Sequence, residues 1–410
     1  MSKPKIIFIC HRIPYPPNRG DKIRSYNLLK QLSKEYEVFL GCCYEYREEI
    51  EHLDKLTSIT SDIYYARKPN SLLHLGLDVF KALMTGKSIS EQHFYHSGLQ
   101  DWVNSIIKQH DIAGVFVYCS SMASYISNHL PDKCILVADL IDLDSLKWSS
   151  LADKKTSMMR WLYKRESKKI ASLERRIINH FDYTFFVSEL ERELCQKQFD
   201  SLPLNCGVIE NGVDYTYFND QGAQSLSPSY LNENYILFTG SMDAIHNIES
   251  ITWFVKNCWP ELAEMHNDLH LYIVGRHPNS EVKKYATNRI KVISNVPDIR
   301  PFLLNATVTI APMVNSRGVQ NKVLEAMASG KAFVTTIQGA EGISFPAEQE
   351  PYICSTANEF VIGVSKLLKN TEVRERIGEL NKSWAQNHYS WESKLTFLNQ
   401  YFHGKKRDKK

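Results

Sequence analysis

The 410-residue sequence has no apolar run near the roughly 18 residues that a membrane-crossing helix needs. The apolar stretch nearest its start, residues 6–10, is too short for a secretory signal. The nine cysteines are odd in number and scattered, with no C-x-x-C pair, which argues against both a disulfide framework and a structural zinc site. Fourteen histidines form no H-x-H or H-E-x-x-H spacing, so no catalytic metal is predicted. No G-x-S-x-G elbow marks a serine hydrolase, and no zinc-finger, homeodomain or RNP pattern marks a nucleic-acid reader. These absences predict a reduced, cytoplasmic chain that binds no nucleic acid.

Charge is present but unevenly placed. The net charge is +3. Residues 147–176 hold ten Lys and Arg against three Asp and Glu, a local +7. Residues 404–410 hold five basic residues against one acidic, a local +4, so the rest of the chain carries −8. Two concentrated basic patches on an acidic body suggest an anionic surface met at particular places. In residues 158–181 a helical pattern points Trp161, Ile170, Leu173, Ile177 and Phe181 inward, with Lys164, Arg165, Lys168, Lys169, Arg175 and Arg176 on its other sides. With Trp148 this basic segment, 147–176, suits peripheral contact with an anionic membrane. A solvated helix surface is the competing reading.

Short β-branched runs alternate with helical patterns from residue 6 onward. Residues 6–10, 38–42, 115–118, 134–137 and 183–187 read as buried strands with helices between them. A second series starts at 235–238 and continues at 271–274, 308–310 and 332–335. The pattern predicts an α/β fold of two doubly wound, Rossmann-like domains facing across a cleft. The expected division is 1–215 for an acceptor-side domain, 216–234 for a polar linker and 235–383 for a donor-binding domain.

The segment 311–330 carries the chemistry. A strand ends near Ala311, a loop carries Gly318, and a helix runs to a stop at Gly330. Lys322 falls in that helix's first turn, where a cation opposes the helix dipole unless an anion is bound there. Backbone N–H groups near Gly318 and Val319, flanked by Arg317 and Lys322, suit a pyrophosphate. Glu325, three residues after Lys322, suits sugar or ribose hydroxyls. A solvated Lys–Glu pair on an ordinary helix is the plainer alternative. Nearer the start, Gly20 allows close backbone approach and Asp21 is a candidate helix cap. Asp142-Leu143-Asp144 has the form of a metal-binding D-x-D. The favoured reading instead sets Asp139, Asp142 and Asp144 on the acceptor side, with Asp142 orienting an acceptor hydroxyl.

Residues 322–331 followed by 339–342 resemble the donor region of the retaining nucleotide-sugar glycosyltransferases of the GT-B fold, family 4. Residues 211–214 resemble that family's turn before the linker, and 237–241, with Gly240 and Ser241, its phosphate-side turn. Arg276 in 274–276 and Val296 in 296–299 resemble its strand ends beside the nucleotide. Residues 11–17, 20–24 and 139–148 are similar to sugar transferases associated with bacterial exopolysaccharide export. The resemblance implies metal-independent, retaining transfer from a nucleoside-diphosphate sugar to a glycan or lipid-linked acceptor. It also implies that Lys322 and Glu325 contact the donor, and that residues 384–410 form crossover helices back to the first domain, with a basic tail. One position departs: the family places two glutamates eight residues apart, and Arg317 stands where the first is expected. A degenerate nucleotide-sugar-binding protein and a same-fold epimerase are the alternative readings.

Overall fold

Strand β1 (Lys5–Cys10) is apolar on both faces, with Ile6 to Cys10 fully buried. That is the signature of a central strand in a parallel sheet covered by helices on both sides. The computed structural model describes residues 3–17, 19–68, 71–126, 130–131, 133–153, 155–199, 205–219, 223, 233–315 and 318–402. They fall into two compact units, Met1–Glu210 with Leu395–Lys410, and Asn211–Lys394.

The first unit adds β2 (Glu37–Tyr44), β3 (Asp62–Arg67), β4 (Ile112–Tyr118), β5 (Ile135–Ile141), β6 (Tyr183–Phe186) and β7 (Cys206–Val208). All pairings are parallel, in the order β3-β2-β1-β4-β5-β6-β7. Phe8 and Phe116 stack across β1 and β4 at 5.1 Å. The chain order reverses between β1 and β4, so their carboxyl ends form a topological switch point, the usual place for a ligand in such sheets.

The second unit holds β8 (Tyr235–Thr239), β9 (His270–Gly275), β10 (Ile290–Ser294), β11 (Val308–Ala311), β12 (Phe333–Thr336) and β13 (Ile353–Cys354). These are also parallel, in the order β10-β9-β8-β11-β12-β13. Its switch point lies between β8 and β11. Tyr235 and Tyr272 stack at 4.2 Å, and the Tyr235 hydroxyl donates to the Phe302 carbonyl at 2.7 Å.

Both chain crossings sit differently from the sequence-based division. Val213 donates its N–H to the Tyr389 carbonyl at 2.7 Å and bridges to Ser390, and a Cβ on Gly212 would lie 2.9 Å from the Trp391 backbone. These contacts bind residues 211–214 and 384–394 into the second unit. The first unit therefore ends at Glu210 rather than 215, and the returning segment joins it at Leu395 rather than 384. The Asp214 carboxylate caps the short helix Tyr215–Phe218. Most of the expected linker, and the basic tail, lie outside the described residues.

The returning segment packs firmly. Phe402 fills the space above Gly114, where a Cβ would meet its ring at 2.3 Å, and Tyr36 donates to the Asn399 carbonyl at 2.5 Å. Tyr401 lies 4.4 Å from Tyr183 and 5.2 Å from Phe185. Replacing Phe402 by Ala leaves a void over Gly114 and is expected to destabilise the first unit by about 3–5 kcal/mol. Denaturant unfolding followed by tryptophan fluorescence measures this, and an unchanged midpoint would exclude the segment from that core.

Candidate functional site

The second unit's switch point is built on close backbone approach. A Cβ on Gly275 would lie 1.7 Å from the Gly240 carbonyl oxygen, so the ends of β8 and β9 can meet only with glycine at 275. Gly240 donates to the Val274 carbonyl at 3.2 Å, and Met242 donates to the Arg276 carbonyl at 2.7 Å. These bonds fix the turn 240–244, which leads into the helix Ile245–Asn257. Ser241 bonds Asp243 at 2.6 Å within that turn.

The helix Asn321–Ala328 begins beyond β11, and its N-cap residue, Gln320, provides no side-chain cap. Gly318 enters it at φ +70°, a left-handed geometry that glycine adopts freely. Gly342, at φ +74°, brings the following loop against Val319. Gly330, at φ +68°, ends the helix, and Gly378 lets a later helix pack over it: a Cβ there would lie 2.2 Å from the Gly330 carbonyl.

Lys322 projects from the first turn into a neutral nest. Its ammonium donates to Asn247 Oδ1 at 2.6 Å, lies 3.5 Å from Met313 Sδ and sits 4.3 Å over the Phe238 ring. Asn247 Nδ2 in turn donates to the Ser241 carbonyl at 2.9 Å, tying Lys322 to the β8 turn. Burial pushes the ammonium down to about 7, with Glu325 pulling the other way. Burial likewise pushes the Glu325 carboxyl up to about 7, against the pull of Lys322. The His246 imidazole is lowered by burial and then by the Lys322 charge. Thr239, Thr309 and Lys322 line a cavity of about 10 Å³ below, room for one water. The direct contacts of this half-buried cation are neutral, and an anion reaching it gains a strong charge-assisted bond.

The other sequence-derived donor residues surround this helix less uniformly. Gly240, Ser241, Gly318 and Val319 lie at the two turns just described. Arg276 is exposed directly after β9, and Val296 is half-buried after β10, packed on the core. Arg317 lies outside the described residues. Gly20 belongs to the first unit, as the exposed opening residue of the helix Gly20–Glu35.

The carboxyl edge of the first sheet is a network of paired charges. Asp21 meets His11 at 3.4 Å, Arg12 at 3.1 Å and Arg19 at 3.1 Å. Its carboxylate also accepts from the Lys22 N–H at 3.1 Å in the helix's first turn, but the N-cap position itself is Arg19 rather than Asp21. Burial opposes its ionisation, yet His11, Arg19 and Arg12 keep the carboxyl well below the usual range. Burial lowers His11 too, but Cys119 and Asp21 hold the imidazole at about 9. Glu45 bridges Arg12 at 3.0 Å and Lys68 at 2.7 Å. Asp139 is fully buried and grips Arg24 through bonds of 2.7 and 2.9 Å, so it does not face a substrate as expected. Asp142 and Asp144 both pair with Lys147, whose ammonium stands between them where the metal reading would put a cation. Nearby, Cys119 at φ +71° and Ile141 at φ +68° hold backbone conformations costly for such residues, at the ends of adjacent strands.

Sequence reasoning missed Asn247, Phe238 and Met313 as partners of Lys322. Their signal is faint, because a neutral nest for a cation has no motif. It also left His11, Arg12 and Asp21 without a mutual contact, although the His-Arg pair directly follows β1.

Residues 233–370 match the family model described as glycosyl transferases group 1. Two solved structures share the architecture over nearly their whole length. Sucrose-phosphate synthase from Thermosynechococcus elongatus aligns with TM-score 0.66 at 15% identity, covering 98% of each chain. Anabaena HepE, solved with UDP and glucose, aligns with TM-score 0.63 at 12% identity, covering 97% of this chain and 99% of its own. A Klebsiella pneumoniae protein described as an uncharacterized 44.6 kDa protein in the cps region is 24% identical, over 96% of this chain and 98% of its own. The fold is GT-B, and the enzyme class that the matching domain supports is glycosyltransferase.

Lys322→Met separates binding from folding. Removing a desolvated ammonium is expected to leave the thermal midpoint unchanged or raised. Nucleoside-diphosphate affinity is expected to fall by about 1.5–3 kcal/mol, or ten- to a hundredfold. Thermal denaturation and calorimetry on the same sample check both halves, and an unchanged affinity would return Lys322 to a structural role.

Proposed function

We propose that the chain transfers a sugar from a nucleoside-diphosphate sugar to a hydroxyl of a glycan or lipid-linked acceptor, with retention of anomeric configuration and without a metal ion. The observation that carries this reading is the Lys322 ammonium, half-buried against Asn247, Met313 and Phe238 in the first turn of a helix without a side-chain cap. A diphosphate at that helix start receives N–H bonds from the backbone and the charge of Lys322, with the exposed Arg276 after β9 as a further cation. Neutralising the departing diphosphate this way supplies what a metal would otherwise supply. Glu325, three positions along, is placed to accept from hydroxyls of the donor.

Among the relatives, HepE is solved with UDP and glucose, which supports a nucleoside-diphosphate hexose as the donor class. The Klebsiella relative is described by its cps region, which supports polysaccharide assembly as the setting. No helix among the described residues is long and apolar enough to cross a membrane, so a lipid-linked acceptor is reached from the bilayer surface.

Retention means that the acceptor hydroxyl attacks on the face the diphosphate leaves. The product anomer, read by proton NMR from a purified donor and acceptor, is expected to match the donor's. An inverted anomer contradicts the mechanism, and binding without turnover would leave a nucleotide-sugar-binding protein.

The lowered ammonium gives a pH signature. A bound diphosphate favours the charged form and so raises the Lys322 pKa, and binding above pH 7 takes up a proton. Affinity is therefore expected to fall as pH rises through 7, by up to about tenfold per unit. Calorimetry in buffers of different ionisation enthalpy reads the uptake directly. Affinity flat from pH 6 to about 9 would show that Lys322 does not face the phosphates.

A further inference from the structure

The helix Leu72–Thr85 of the first unit is turned with its apolar face outward. Leu73, Leu77, Phe80 and Met84 recur at steps of four, three and four, which places them on one stripe. That stripe is the exposed side: Leu73 is 82% accessible, Met84 74%, Phe80 61% and Leu77 52%. The opposite side meets the protein toward its C-terminal end, while Leu75 on that side stays 45% accessible. Ala82 is buried, and Asp78 pairs with His93 of the neighbouring helix at 2.7 Å. A solvated helix presents the reverse arrangement, so this stripe marks a surface built to be covered.

A second exposed apolar group adjoins it. Arg165 donates to the carbonyls of Ala82 at 2.6 Å and Lys87 at 3.1 Å, pinning the helix Ser157–His180 to the end of Leu72–Thr85. Glu166 accepts from the N–H groups of Ile89 and Ser90 at 2.7 and 2.9 Å, so the junction is rigid. One and two turns before Arg165 stand Trp161, 57% accessible, and Met158, 77% accessible. Trp161 thus points outward, contrary to its expected place in the core. Exposed basic side chains border both groups: Lys81, Lys87, Arg160, Lys164 and Lys168.

We propose that this face is a membrane-docking surface, with Leu73, Leu77, Phe80, Met84, Met158 and Trp161 entering the headgroup region of a bilayer and the surrounding lysines engaging anionic lipid. Apolar and aromatic residues on one side with Lys and Arg along the border are what an interfacial helix needs. Charge decides the occupant. The border is basic, and residues 147–176 carry a local +7, which complements an anionic bilayer. The inserting element is then the 72–85 helix, and the basic segment 147–176 supplies the attraction around it. The proposal does not depend on the sugar chemistry of the second unit.

Flotation of the full chain with vesicles of one part phosphatidylglycerol to two parts phosphatidylcholine tests it. Wild type is expected to float with these vesicles, to float far less with pure phosphatidylcholine, and to detach as salt rises. The double variant Leu77→Glu, Phe80→Glu alters exposed positions and is expected to abolish flotation while keeping the wild-type thermal midpoint and nucleotide affinity. Lys164→Gln with Lys168→Gln, which leaves the apolar stripe intact, is expected to lower vesicle partitioning at least about tenfold. Absence of flotation for wild type overturns the proposal, as does flotation that both double variants retain. A dimer in lipid-free sedimentation that Leu77→Glu, Phe80→Glu dissolves would assign the face to a second copy and overturn it equally. Unchanged nucleotide affinity with lost flotation keeps this outcome separate from any failure of the donor-site reading.

Discussion

The Lys322 ammonium is the constraint around which the second unit's site is arranged. Its direct contacts are an amide oxygen, a thioether and an aromatic face, and burial takes its pKa down to about 7. Such a placement costs stability unless something anionic arrives. The surrounding features converge on that point. Glycine at 240 and 275 lets β8 and β9 close together, Asn247 ties the β8 turn to Lys322, and Gly318 brings the chain into a helix whose N-cap residue makes no side-chain capping bond. A bound anion would offset the charge that Lys322 adds to a helix start already made positive by the dipole.

The first unit solves its charge problem in the opposite way. Several charges at its carboxyl edge have counter-charges: Arg24 with Asp139, Asp21 with His11, Arg12 and Arg19, and Glu45 with Arg12 and Lys68. Pairs of this kind fix geometry more than they add stability. Asp139 also accepts from the Ile141 N–H at 3.2 Å, which ties the Arg24 pair to that strained residue. Paired charges in one unit and a cation with neutral direct contacts in the other suit an enzyme in which one half binds a charged donor and the other positions a neutral hydroxyl.

The strands were the most readable part of the sequence, because strands buried on both faces leave apolar runs that few other elements produce. Residues 6–10, 38–42 and 235–238 fall within β1, β2 and β8. The Lys322–Glu325 spacing was readable for a similar reason, being local to one helix. What depended on long-range contact was not. The Arg24–Asp139 pair spans 115 residues, and nothing local distinguishes Asp139 from Asp142. Trp161 shows a different limit: periodicity identifies an apolar stripe but not what covers it, and the same ambiguity hid the outward face of Leu72–Thr85. The domain crossings were displaced because the contacts of Val213 with Tyr389 and Ser390 join segments that are far apart in the chain.

Calorimetric titration of the wild-type chain with UDP, GDP, ADP, TDP and CMP, each with and without EDTA, tests the central claim most directly. A metal-free site organised around Lys322 predicts saturable binding of one nucleoside diphosphate, unchanged by EDTA and accompanied by proton uptake above pH 7. Binding that vanishes with EDTA, or no binding of any nucleotide, would contradict it.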